Sequence, residues 1–134
     1  MKIKISTALC GLVSALLTVA AGTSTALGAI VTVPAGLNPG DKYRLVFVTD
    51  GKRDATSSAI GDYNAFVSAQ ALAVPQLSAL STTWTVIGST ETVDARDNTN
   101  TSPAVNAGVA IFRLDGVKVA DNNADLWDAS LDAG

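Results

Sequence analysis

The sequence predicts an α+β fold, and three observations carry that expectation. Ile60, Tyr63, Val67 and Ala71 recur at helical spacing with Phe66 beside them, the pattern of a helix that buries one face. Short runs rich in β-branched and aromatic residues flank it, the clearest at 42–49. Near the end, two apolar runs at 109–114 and 117–119 stand either side of Asp115-Gly116, a dipeptide that favours a hairpin turn. At 134 residues the chain has room for one domain at most.

The first segment is not expected to belong to that domain. Lys2 and Lys4 precede an apolar run over 5–21, then Gly22, Thr23, Ser24 and Thr25, and the chain reaches Ala26-Leu27-Gly28-Ala29. This order is that of a secretory signal peptide covering residues 1–28, cleaved after Gly28. The alternative, a membrane anchor, needs ~20 apolar residues, and Ser6, Thr7, Ser14 and Thr18 interrupt a shorter run. An exported single domain over 29–134 is the expectation, with no stable membrane anchor. Cys10 is the only cysteine. Cleavage removes it, so packing alone must hold the mature chain, as is ordinary for exported bacterial domains. Loss of Lys2 and Lys4 takes the formal net charge from −3 to about −5. A surface so charged, with no basic stripe, repels nucleic acid.

Within the domain, 30–34 is a short extended run ending at Pro34, suited to a sheet edge. The run 42–49 reads as a strand with Tyr43, Leu45 and Phe47 on one face and Arg44, Val46 and Val48 on the other. Apolar residues on both faces from Leu45 to Val48 predict burial on both sides. After Asp50-Gly51, Ser57 or Ser58 is the expected N-cap of a helix reaching Ala73, with Asp62 near its positive end. Pro75 follows the end, and a short turn should place Leu77 and Leu80 on the core. Residues 83–88 read as another strand carrying Trp84 and Val86. Residues 89–107 form a long polar loop, and loops of that length are pinned by their own contacts or functional. Arg96, set between Asp94 and Asp97, is expected to tie it down by ion pairs. Trp127 should plug against the helix bearing Tyr63 and Phe66.

No nucleophile, base and acid can be assembled by motif. The chain has no histidine, which removes the commonest general base and metal imidazole. The best chemical candidates are two oxygen-rich clusters, Asp94, Asp97, Asn98 and Asn100, and then Asp121, Asn122, Asn123, Asp125 and Asp128. Asp121, Asn123, Asp125 and Asp128 are the candidate calcium ligands, since hard cations take ~6–8 oxygens from such loops. Neither cluster has the EF-hand spacing, and the competing reading is that these residues form turns and helix caps. Trp127 is the candidate for stacking on a sugar ring, against the commoner fate of core packing.

Three segments together resemble a family of exported bacterial proteins of the PEP-CTERM type. They are Leu37-Asn38-Pro39-Gly40-Asp41-Lys42-Tyr43-Arg44-Leu45, then Arg53-Asp54-Ala55-Thr56-Ser57-Ser58 with Asp62-Tyr63-Asn64-Ala65-Phe66-Val67, then Val93-Asp94-Ala95-Arg96-Asp97-Asn98. Ala124-Asp125-Leu126-Trp127-Asp128 follows the same pattern. The resemblance implies export and a surface or matrix location, and it implies no activity. The order of a helix with Phe66, the Trp84 run, a polar loop, then Ile111-Phe112-Arg113-Leu114-Asp115-Gly116 and a later tryptophan also resembles endostatin. That implies a C-type-lectin-like domain in which the long loop packs on a small antiparallel sheet. It also implies further strands after Asp132, so the fold is expected to be incomplete at its C-terminus. The functional expectation is a non-enzymatic secreted or cell-surface protein, binding or structural, whose partner is polysaccharide or a surface protein. The rivals are a secreted hydrolase without a recognisable motif and a weak calcium-dependent carbohydrate-binding module.

Overall fold

A computed structural model describes residues 29–130 and 132. The expected signal segment and Cys10 lie outside the described residues. The element order is β1 (Arg44–Val46), α1 (Ile60–Leu72), α2 (Pro75–Ser78), α3 (Ala95–Asn98), β2 (Ile111–Arg113), β3 (Lys118–Ala120) and α4 (Asn123–Leu126). The domain is α+β, as composition and periodicity predict. The sheet, however, is mixed rather than antiparallel, in the order β1-β2-β3. β1 runs parallel to β2, with Leu45 opposite Phe112, and β2 runs antiparallel to β3. A parallel pair requires a long crossover, and residues 47–110, with α1, α2 and α3, supply it.

The β2–β3 hairpin forms as the Asp115-Gly116 dipeptide predicts. Gly116 has φ +86°, a left-handed conformation that glycine adopts without steric cost. Its N–H donates to the Arg113 carbonyl at 3.0 Å, and the Arg113 N–H donates to the Val117 carbonyl at 2.8 Å. A register shift between Ile111 and Phe112 leaves Ile111 opposite Ala120 and Phe112 opposite Lys118.

Two apolar clusters flank this small sheet. Ala71, Leu77 and Trp84 are buried on one side, with Leu45, Phe47, Leu80 and Leu114 packed against them. Ile111, Val119 and Ala120 form the other, with Val46 and Leu126. Leu45 and Val46 therefore serve opposite faces, each half-buried, so the expected burial of β1 on both sides is met only in part for that pair. It does not hold further along. The strand ends at Val46, and Val48 is 94% exposed.

Three other expectations are corrected. Residues 30–34 form no strand, although the Val31 N–H reaches the Leu114 carbonyl at 2.7 Å. The N-cap of α1 is Ala59, with no side-chain capping bond. Ser57, one of the two expected caps, instead accepts from the Ala59 N–H and donates to the Asp62 carboxylate at 2.7 Å. Residues 83–88 are extended but belong to no sheet. Side chains satisfy their backbone in place of a neighbouring strand. Ser68 donates to the Trp84 carbonyl at 2.9 Å, Asn64 Oδ1 accepts from the Val86 N–H at 2.9 Å, and Asn98 Nδ2 donates to the Val86 carbonyl at 2.8 Å.

Candidate functional site

A groove of about 550 Å³ lies beside β1. One wall is the strand and its extension, Tyr43 to Thr49; the opposite wall is the extended segment from Thr82 to Ile87. Val67, Leu80, Ile111 and Leu126 complete an apolar lining, with Thr99 and Thr101. Trp84 anchors one wall, 8% exposed and edge-on to Phe47 at a centroid distance of 5.2 Å. Its indole N–H is buried and has no partner among the described residues.

The wall carrying Trp84 is held by a reciprocal amide pair. Asn64 Nδ2 donates to Asn98 Oδ1 at 2.8 Å, and Asn98 Nδ2 donates back to Asn64 Oδ1 at 3.0 Å. Both amides also take the Val86 backbone, so helix α1, helix α3 and the groove wall meet at one node. α3 is itself placed by Asp94, whose carboxylate caps the Arg96 N–H at 2.8 Å. The first oxygen-rich cluster thus supplies caps and a structural amide, the role that turn-forming residues commonly take. Sequence inspection flags Asn98 as a possible cation ligand and misses its partner, since Asn64 lies on the helix 34 positions earlier.

Arg44 is the only charged residue of the groove lining. Its guanidinium donates to the Thr99 carbonyl at 3.0 Å and the Asn100 carbonyl at 3.1 Å, and it forms no ion pair among the described residues. No carboxylate lines the groove. It therefore lacks the paired acids of a hydrolytic site.

The predicted calcium ligands separate. Asp121 and Asp125 do come together, and Asp132 joins them, with one oxygen of each lying within 4.8 Å of the others. Asn123 turns inward instead. It is fully buried, its Nδ2 bonds Asn106 at 2.8 and 3.0 Å, and its Oδ1 lies against Gly108 without a donor. Asp128 accepts from the Ser130 N–H at 2.8 Å and stands outside the group. Lys118 already bonds Asp121 and reaches Asp132 at 3.3 Å, while Asp125 accepts the Asp121 N–H at 2.6 Å. Hydrogen bonds to Asp121 and then Asp132 raise the Lys118 pKa above the usual lysine value. An ammonium thus stands where a cation would go.

Trp127 does not plug against α1. Its Nε1 donates to the Thr101 hydroxyl at 3.0 Å, and the Arg96 guanidinium lies over its ring at 5.2 Å. Arg96 therefore ties the loop by stacking on an aromatic ring, and it makes no ion pair among the described residues. With one face beneath Arg96 and the N–H engaged, Trp127 pins the 89–107 loop to α4, and only a part of the ring is left for a sugar. Tyr63 is used locally as well. Its hydroxyl clasps the Ser57 backbone, and Arg53 lies over its ring at 5.3 Å. No helix among the described residues is long and apolar enough to cross a membrane. Comparison of the chain with protein-family models, curated proteins and solved structures finds no match.

Proposed function

We propose that this chain is an exported, non-catalytic binding module acting at the cell surface or in the extracellular matrix. The observation that carries the reading is the groove beside β1: apolar, walled on two sides, and lined by no carboxylate and by a single cation, Arg44. Concave apolar surfaces with a few placed polar groups are the usual form of binding sites. Export rests on the signal-like order of residues 1–28 and on the resemblance to exported proteins of the PEP-CTERM type. Partners of the expected class are a polysaccharide or another surface protein, and a C-type-lectin-like ancestry accords with either. A glycan array and a surface-protein pull-down with the purified 29–134 chain test it directly. Binding in either format with no turnover supports it, and hydrolysis of any arrayed glycan overturns it.

A second reading, weak calcium-dependent binding, is favoured by one observation, the three carboxylates of Asp121, Asp125 and Asp132. Calcium must displace Lys118 to enter. The native chain should therefore show a small rise in thermal midpoint at millimolar calcium, and Lys118→Met a larger one, because a ligand of the folded state raises its stability. Absence of a shift in both proteins sinks the calcium reading.

A further inference from the structure

We propose that the groove beside β1 receives an extended polypeptide strand from a partner protein, paired through its backbone and carrying a carboxylate toward Arg44. This deepens the binding-module reading and rests on it.

Among the described residues β1 is an edge strand. In a parallel pair, successive residues point their backbone groups alternately toward and away from the neighbour. Arg44 donates to the Ala110 carbonyl at 2.9 Å, so the N–H and C=O of Leu45 face the open edge, toward the groove. The opposite wall has the same character. Trp84 and Val86 commit backbone groups to Ser68, Asn64 and Asn98, so those of Thr85, between them, face away from the helices. A strand laid between the walls meets, on both sides, backbone groups that have no partner among the described residues. A sugar or a compact ligand uses none of that regular spacing.

Side-chain chemistry defines the occupant further. Apolar groups line the groove on both faces of β1, Leu45 and Phe47 on one and Val46 with Leu126 on the other. The occupant is therefore apolar at successive positions. Val48 and Ile87, 94% and 54% exposed, stand at the groove as uncovered apolar contacts. Arg44, with only carbonyl partners in a chain of net charge −3, complements an acidic group on that strand. A second copy of this chain is a poor fit. A two-fold interface must be self-complementary, and two walled grooves do not fill one another.

The probe is a blocked peptide of about eight residues, the length of an ordinary strand, with valine or leucine at successive central positions and one glutamate near an end. Titration should slow amide exchange at Leu45. Val48→Asp, on a fully exposed side chain, should weaken binding by about tenfold and leave the thermal midpoint in place. The glutamine version of the peptide should also bind more weakly. Binding without protection of Leu45, or untouched by Val48→Asp, overturns strand pairing. Glycan binding without peptide binding overturns the inference and leaves the binding-module reading standing, whereas cleavage of the peptide, read by mass spectrometry, overturns both. Self-association that Val48→Asp dissolves places a second copy in the groove and also overturns the proposal.

Discussion

The two edges of the sheet are finished in opposite ways. At β3 the chain closes its own edge. Asp132 donates its N–H to the Val119 carbonyl at 3.2 Å, α4 packs alongside, and Lys118 is held by Asp121 and Asp132. Asn122 caps α4 through the Ala124 and Asp125 N–H groups at 2.9 and 3.1 Å. All these partners lie within fifteen residues of one another. At β1 the edge stays open among the described residues, and the wall facing it comes from residues 82–87, nearly forty positions away. An unpaired edge is a template for another strand. The comparison separates two ways of finishing a sheet edge: one flank is closed by residues near in sequence, and the other is left unpaired among the described residues.

The largest effect should come from breaking the open flank's wall. Trp84→Ala removes a buried ring packed on Phe47 and should cost about 3–5 kcal/mol, measured by chemical denaturation. A loss below about 1 kcal/mol would mean that the wall is held without Trp84. On the closed flank, Gly108→Ala should cost about 2–3 kcal/mol. Gly108 has φ +77°, and an added Cβ would stand 2.1 Å from Asn123 Oδ1. Asn98→Ala comes next, at about 1–3 kcal/mol, because it strands the Val86 carbonyl and the Asn64 amide at a half-buried node. Leucine at the same position should be no milder, since it also leaves both groups unpaired. If either variant melts with the native chain, the amide node is dispensable.

The smallest effects belong to exposed charges of the hairpin, and their pH dependence has opposite signs. Lys118 has a raised pKa in the fold, so its stabilisation is full below the ordinary lysine pKa and is lost as pH rises through the folded value. Asp115 has a lowered pKa, first through its hydrogen bond from Arg113 and then from the Val117 N–H. Its stabilisation is present above the usual carboxylate range and is lost as pH falls through the folded value. Melting curves should therefore weaken toward both extremes. Asp115→Asn should flatten the acid limb, and Lys118→Met should flatten the alkaline limb. An unchanged limb would show that other groups set the profile.

How much was legible in the sequence follows from the range of each interaction. The 3.6 period of Ile60, Tyr63, Val67 and Ala71 places α1, and Asp115-Gly116 places the hairpin, because helix and turn geometry are set by neighbouring residues. Asp94 and Asn122 cap α3 and α4 for the same local reason, which is why the turn-and-cap reading of both oxygen-rich clusters accounts for most of their contacts. The candidate calcium set was half legible. Asp121 and Asp125 are close in sequence and in space, but spacing says nothing of Asn123 turning inward beneath Gly108, nor of Lys118 entering the cluster.

What only the tertiary structure decided is everything that depends on distant partners. Residues 83–88 have strand composition, yet Ser68, Asn64 and Asn98 take up their backbone groups, and no strand needs to. Trp127 finds Thr101 and Arg96 rather than α1. β1 pairs parallel with β2 because the whole of 47–110 crosses between them. By itself the sequence determined an α+β domain, its main helix, its hairpin, its caps and an acidic, cysteine-poor character, since these arise from residue type and short-range geometry. The open edge and the groove beside it exist only once residues some forty positions apart are brought face to face, which no local pattern encodes.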